Sequence, residues 1–217
     1  MTLVTLASSN QPMQGGADEP FTSPLFYETM ARFDHTTRHV ILEPGSASPG
    51  ILALLQGRRC RLLVADAALA LSRLGEKSQE TESLFRQVEP LIADAGAEKI
   101  DTVLCWDLLN YLSLPLYNAF TARLAAIMAP AGMLHAYIHS AHNAMSRRPQ
   151  RYSVLGDDLV TRLDHDPPER KAPRYSYGDL DKHASGLRIV RSMLLRNGIQ
   201  EYLLCVKPKG EGPSNKV

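Results

Sequence analysis

The stretch that most constrains this chain is His39 to Gly57, HVILEPGSASPGILALLQG, in which a short apolar run passes through a turn of small residues into an apolar helix. Val40, Ile41 and Leu42 are uninterrupted by polar residues, the pattern of a strand buried on both faces, and Glu43 closes the run. Ser48 is placed to cap the following helix, Pro49 suits its first turn, and Gly57 suits its end. A strand, a Gly/Ser turn and a helix N-terminus together present backbone N–H groups to the polar part of a ligand.

A second apolar run, Arg61 to Ala65, ends at Asp66, 23 positions after Glu43. In a doubly wound sheet the second strand lies beside the first, so an acid at its C-terminal end faces the same crevice and can accept hydrogen bonds from ribose hydroxyls. Before this unit, Leu25, Phe26, Met30 and Phe33 recur at helical spacing and predict a short helix over Pro24–Phe33. After it, residues 68–95 read as helical in two pieces separated near Gly75, with a break or kink at Pro90. No third strand is recognisable there. Asp101–Trp106 is the next strand, followed by a helix from Ser113 with Leu116, Phe120, Leu124 and Ile127 on one stripe, and then a buried strand within APAGMLHAYIHS.

Residues 141–178, rich in Arg, Pro and Asp, carry a weak hairpin signal in RYSVLG and DLVTRLD. LRIVRSMLL, the turn RNG and IQEYLLCV form the clearest hairpin signal, with Asn197 and Gly198 expected to supply φ > 0. The alternation of strand and helix predicts an α/β fold: a three-layer, Rossmann-like, mostly parallel sheet with a C-terminal antiparallel hairpin. Residues 21–207 are expected to form one domain carrying 141–178 as an insertion or lid, between flexible tails at 1–20 and 208–217.

Composition bounds the function. A chain of 217 residues with 44% hydrophobic content can bury a core, and a net charge of +1 provides no field for gripping nucleic acid or an anionic membrane. Cys60, Cys105 and Cys205 are scattered and odd in number, which gives neither a disulfide framework nor a zinc-ligand pair and suits a reducing cytoplasm. The N-terminus lacks the basic and sustained apolar regions of a signal peptide, and no run approaches the roughly 18 apolar residues of a membrane span. A soluble, cytoplasmic protein is expected.

The order of these parts resembles the class I S-adenosylmethionine-dependent methyltransferase family over about Phe26 to Val206. The family's acid and glycine-rich turn match Glu43, Gly45, Ser46 and Gly50 in EPGSASPG, and the acid closing its second strand matches Asp66. Its fourth-strand segment matches DTVLCWDLLNYL, its Pro-Gly turn before the fifth strand matches APAGMLHAYI, and its final hairpin matches Leu187 to Val206. The resemblance implies that S-adenosylmethionine is the cofactor. Gly45 and Ser46 would let backbone approach its methionine part, Glu43 would contact its amino end, and Asp66 would take the ribose hydroxyls. Trp106 and Asp107 would line the methyl-donor side. The acceptor, a small molecule or a protein, is not identified. An activated sulfonium donor needs positioning and desolvation more than acid-base help, so no catalytic triad is required.

The chain also departs from the family pattern. Ala47 and Ser48 stand where glycine is usual, Pro44 stiffens the turn, and no Asp-Pro-Pro-Tyr or Asn-Pro-Pro-Tyr motif follows the fourth strand, so methylation of nucleobase amino groups is not implied. These departures define the alternative, a catalytically degenerate relative acting in binding or regulation. A nicotinamide-dependent oxidoreductase would require a G-x-G-x-x-G run and, in short-chain forms, a Tyr-x-x-x-Lys pair, and neither appears.

Each site residue also has a structural reading. Asp66 can cap the next helix, Glu43 can bond to its own turn, and Gly45 and Gly50 can simply permit tight packing. Trp106 can anchor the core, Asp107 and Asn110 suit pocket lining or a helix start, and Tyr111 reads as a packed aromatic. His135, His139 and His142 gather at the end of the fifth strand. No Cys or carboxylate partner is apparent nearby in sequence, so no metal site is expected, and His139 is the candidate for a substrate-side base. The basic run Arg147 to Arg151 reads as a solvated loop.

Overall fold

A computed structural model describes residues 19–33, 36–76, 81–92, 96–140, 143–156, 158–164 and 167–208. Most of the two expected tails, and His142, lie outside these residues. In chain order the elements are β1 (Phe21–Thr22), α1 (Pro24–Met30), β2 (His39–Glu43), α2 (Pro49–Leu55), β3 (Cys60–Val64), α3 (Ala68–Gly75), α4 (Thr81–Leu91) and β4 (Ile100–Trp106). A 3-10 turn at Leu108–Tyr111 leads to α5 (Leu114–Ile127) and β5 (Met128–Ile138). Then come β6 (Ala144–Ser146), β7 (Tyr152–Val154), β8 (Leu159–Arg162), β9 (Pro168–Lys171), α6 (Tyr177–His183), β10 (Leu187–Leu194) and β11 (Gln200–Val206).

The main sheet has six strands in the order β10-β11-β5-β4-β2-β3. The pairs β2/β3, β2/β4 and β4/β5 are parallel, and β11 runs antiparallel to both of its neighbours. Alternate residues of each strand face opposite sides. Val40, Leu42, Val103, Cys105, Leu134 and Ala136 pack into one core cluster with residues of α4, α5 and α6, whereas Ile41, Leu104, Trp106 and Tyr137 pack into a second with residues of α1, α2, β7 and β8. This is the expected three-layer arrangement. The sheet ends at β3, whose half-exposed residues mark an edge, and among the described residues no strand fills the place of the family's third. Within those residues, no helix is long and apolar enough to cross a membrane.

Three local expectations are corrected. Pro90 does not break its helix: α4 runs through it to Leu91, and Ile92 N still donates to Val88 O at 3.1 Å, so the missing N–H of Pro90 costs one bond in the last turn. The first helix stops at Met30 rather than Phe33, although Phe33 remains buried. In the β10–β11 turn only Gly198 takes positive φ, at 80°; Asn197 contributes through its side-chain oxygen, which accepts a hydrogen bond from Ile199 N at 3.2 Å.

Residues 141–178 build two small antiparallel pairs, β6/β9 and β7/β8, and β1 adds to β8 to make a three-stranded sheet. The N-terminal segment is fastened by Glu201, which is fully buried on β11. Its carboxylate accepts from Leu25 N at 3.1 Å, Phe26 N at 2.8 Å, the Ser23 hydroxyl and His135 Nε2 at 2.7 Å, and Tyr137 donates in turn to Ser23 Oγ at 2.6 Å. Glu201 therefore caps the first turn of α1 from across the fold. Burial alone would raise its pKa, but the hydrogen bond and charge of His135, together with Ser23 and Leu25 N, outweigh burial and hold the carboxyl below its ordinary value.

Truncating this carboxylate leaves several buried donors unmatched at once. Glu201→Ala is expected to lower the unfolding free energy by about 3 kcal/mol at pH 7, measured by denaturant titration. A lowered carboxyl pKa contributes stability above its ordinary value of 4.5 and loses it as pH falls through the folded value, so the gap between wild type and variant should shrink below pH 4.5.

Candidate functional site at the strand ends

The C-terminal ends of β4, β2 and β3 open onto a cleft of about 380 Å³, whose lining includes Glu43, Gly45, Ser46, Asp66 and Trp106 on the sheet side. Ala68 and Leu69 of α3 extend that wall, and Arg148, Pro149, Gln150, Arg151 and Asp164 of the inserted segment form the other. The volume lies within the roughly 300–1,000 Å³ typical of small-molecule sites. Among the described residues, two non-glycine residues adopt left-handed backbone, Asp66 and Trp106, both at φ 48°. Each sits one or two residues beyond or at the end of a strand that meets the cleft, where strained backbone often accompanies function.

Glu43 is 1% exposed. Its Oε1 accepts the Trp106 indole N–H at 2.9 Å, while Oε2 has no hydrogen-bond partner. Burial pushes its pKa up to about 7 against the smaller lowering effect of the indole. The indole is itself stacked on Tyr152, at 5.3 Å between ring centroids and 13° between planes, and packs against Phe26 at 5.5 Å. Trp106 is therefore core anchor and cleft wall together. Asp66 accepts the Ser46 hydroxyl at 2.6 Å, which draws the turn after β2 onto the end of β3. Ser48 accepts Ile51 N at 3.3 Å and caps α2 as expected.

Five of the seven cofactor-site residues expected from the sequence thus converge, and two do not. Gly50 lies under β7, where an added Cβ would stand 2.3 Å from both Ser153 Oγ and Val154 O, so its lack of a side chain serves the packing of the inserted strand on α2. Asp107 is fully buried beneath the cleft and accepts Gln150 N at 3.1 and 3.3 Å through its two oxygens. Burial raises its pKa, opposed by His139, Gln150 N and Arg162. Ala47 and Ser48 are not among the residues that line the cleft.

His139 is buried, with Nε2 3.9 Å from Asp107 Oδ2 and its backbone N–H donated to Asn110 Oδ1 at 2.8 Å. It stands behind the cleft wall rather than on it. Asn110 also donates to Tyr137 O and Asp107 O, at 2.8 and 2.7 Å, and so works as a clasp between β4 and β5. Tyr111 reaches the inserted segment through hydrogen bonds to Ser146 O at 3.0 Å and Arg148 O at 2.6 Å. Among the described residues there is no group of three or more His, Cys, Asp or Glu able to hold a metal ion. The outer wall, Arg148 to Arg151 with Asp164, lies within the segment expected as an insertion or lid, but none of its residues was expected at the site, the basic run having read as a solvated loop.

No family model matches the sequence, and no curated protein matches it either. Among solved structures it is similar to an S-adenosylmethionine-dependent methyltransferase from Clostridium acetobutylicum ATCC 824, with a TM-score of 0.50 and 11% identity over 85% of this chain and 90% of that one. This chain has the class I methyltransferase fold. Weaker similarities to proteins with that fold include the glycopeptide N-methyltransferase MtfA in complex with S-adenosyl-L-homocysteine, at a TM-score of 0.46 and 14% identity over 85% of this chain and 90% of that chain. The mitomycin 7-O-methyltransferase MmcR is similar at a TM-score of 0.45 and 16% identity over 84% of this chain. The match spans 53% of MmcR, about half its length.

Removing the indole N–H tests the coupling at the centre of the methyltransferase-fold cleft. Trp106→Phe keeps an aromatic ring but strands Glu43, so its pKa should rise further, and unfolding free energy at pH 8 should fall by about 2 kcal/mol. Carboxyl-selective NMR titration and denaturant unfolding read the two effects.

Proposed function

We propose that this protein transfers a methyl group from S-adenosylmethionine to an acceptor bound in the same cleft. The observation that carries the reading is Glu43: a buried carboxylate at the end of a central strand, with one oxygen held by Trp106 and the other without a partner, on the wall of a ligand-sized cleft. A buried acceptor left unmatched costs about 1–3 kcal/mol, and a cationic amino group is the ligand chemistry that would best offset it. The fold places the cleft at the strand C-termini, where open α/β sheets bind ligands.

When bound, S-adenosylmethionine supplies a methyl group already activated as a sulfonium. Glu43 would receive its amino end, Gly45 and Ser46 would lie against its methionine part, and Asp66, oriented by Ser46, would accept from the ribose hydroxyls. Trp106 closes the cleft floor and excludes water there. The inserted segment, held down by Tyr111 and by the Asp107–Gln150 contact, covers the other side as a lid. Orientation and desolvation are what these residues supply, and both suit displacement at an activated carbon.

Calorimetric titration with S-adenosylmethionine and S-adenosylhomocysteine tests the reading. Binding is expected, and Asp66→Ala should weaken it tenfold or more, about 1.4 kcal/mol. Absence of binding at millimolar ligand to folded protein would remove the proposal. The same titration against pH tests Glu43. A cationic amino group binds the ionised carboxylate, whose proton is lost only above about pH 7 in the free protein, so affinity should fall toward tenfold per unit as pH drops below 7. Glu43→Gln should flatten that dependence.

A further inference from the structure

Gln150 belongs to the inserted segment and is 5% exposed at the cleft wall. Its backbone N–H is taken by Asp107, and its side-chain Nε2 donates to Arg148 O at 2.9 Å. That second bond fixes which end of the amide is which, because a backbone carbonyl can only accept. The remaining atom, Oε1, is therefore an oxygen, and it has no hydrogen-bond partner. Gln150 thus brings to the lining of the cleft a second unmatched buried acceptor besides Glu43 Oε2, from a different element and a residue outside the motif positions that carry the family resemblance.

Its place along the cleft is defined by Asp107, which directly follows Trp106 at the end of β4. Asp66 lies at the end of β3, two strands away in the order β4-β2-β3, about 10 Å at the usual strand spacing. Gln150 is consequently at the Trp106 end and not at the Asp66 end where a ribose would be held.

We propose that Gln150 is a positioning residue for the methyl acceptor, that its side-chain oxygen accepts an N–H from the acceptor's nucleophile, and that the acceptor is an amine. The inference rests on the S-adenosylmethionine reading of the cleft. An amide oxygen can orient an N–H but cannot take up a proton at neutral pH; an amine in its neutral form would attack the sulfonium methyl carbon with its lone pair as the carbon–sulfur bond breaks, S-adenosylhomocysteine would leave, and the product would keep the N–H proton as an ammonium, whereas a hydroxyl would need a base. His139, the expected base, stands behind the wall against Asp107 and does not line the cleft.

Sinefungin provides a probe that does not require the acceptor to be known. It is an S-adenosylmethionine analogue in which an amine-bearing carbon replaces the methylated sulfur, so it carries N–H donors where the transferred methyl would sit. S-Adenosylhomocysteine has no donor there. Calorimetry on the full chain should find sinefungin bound at least tenfold more tightly than S-adenosylhomocysteine. Gln150→Leu should abolish most of that preference while leaving S-adenosylhomocysteine affinity within about twofold, and Gln150→Glu, which keeps an acceptor oxygen, should retain it. Equal affinity of the two ligands for wild type would overturn the proposal, and this outcome does not depend on any variant folding. So would an equal loss of both in Gln150→Leu, which would place the residue against a part the ligands share. If neither ligand binds wild type, the cofactor reading itself fails.

Discussion

The fold depends on one buried carboxylate. Glu201 sits on the last strand, and its partners are on the first helix and on β5, so a single side chain fastens the beginning of the folded chain to its end. The consequence reaches the cleft by a short route. Ser23 and α1 hold β1, β1 pairs with β8, β8 pairs with β7, and Tyr152 of β7 stacks on the indole that grips Glu43. A buried acid of this kind is costly unless every partner is in place, and here helix-end N–H groups, a hydroxyl and an imidazole supply them.

Around the cleft the same principle applies with the opposite outcome. Glu43 and Gln150 are buried acceptors that are only partly matched, and Asp66 and Trp106 carry backbone strain. The packing that enforces these states is local and strong: Trp106 is wedged between Phe26 and Tyr152, and Ser46 ties Asp66 to the turn after β2. Both left-handed non-glycine residues among the described residues, Asp66 and Trp106, stand at the mouth of the sheet, while large apolar clusters cover its two faces.

Much of the fold was legible because strand and helix periodicities are written in neighbouring residues. Leu116, Phe120, Leu124 and Ile127 did form the buried stripe of α5, and the unbroken run Val103 to Cys105 did become a strand covered on both sides. The hairpin in 141–178 was only weakly signalled but is present as β7 and β8. The candidate site was legible where a residue's place follows from being at a strand end, as for Glu43 and Asp66. It was not legible for Gly50 and Asp107, since motif spacing cannot show that an inserted strand lies over one and an inserted loop over the other.

The sequence by itself determined the order of the main-sheet strands and of helices α1 to α5, the position of the turn after β2 and the acids that close two neighbouring strands, because each follows from local periodicity, capping and turn chemistry. Only the tertiary structure decided which wall closes the cleft and which acid becomes its open contact. Glu201 lies 178 positions from Ser23, and Trp106 lies 63 from Glu43, and pairings at such separations leave no local pattern to read. They are selected by the cost of burying a charge or a polar atom without a partner, which becomes a property of a residue only once the chain has packed around it.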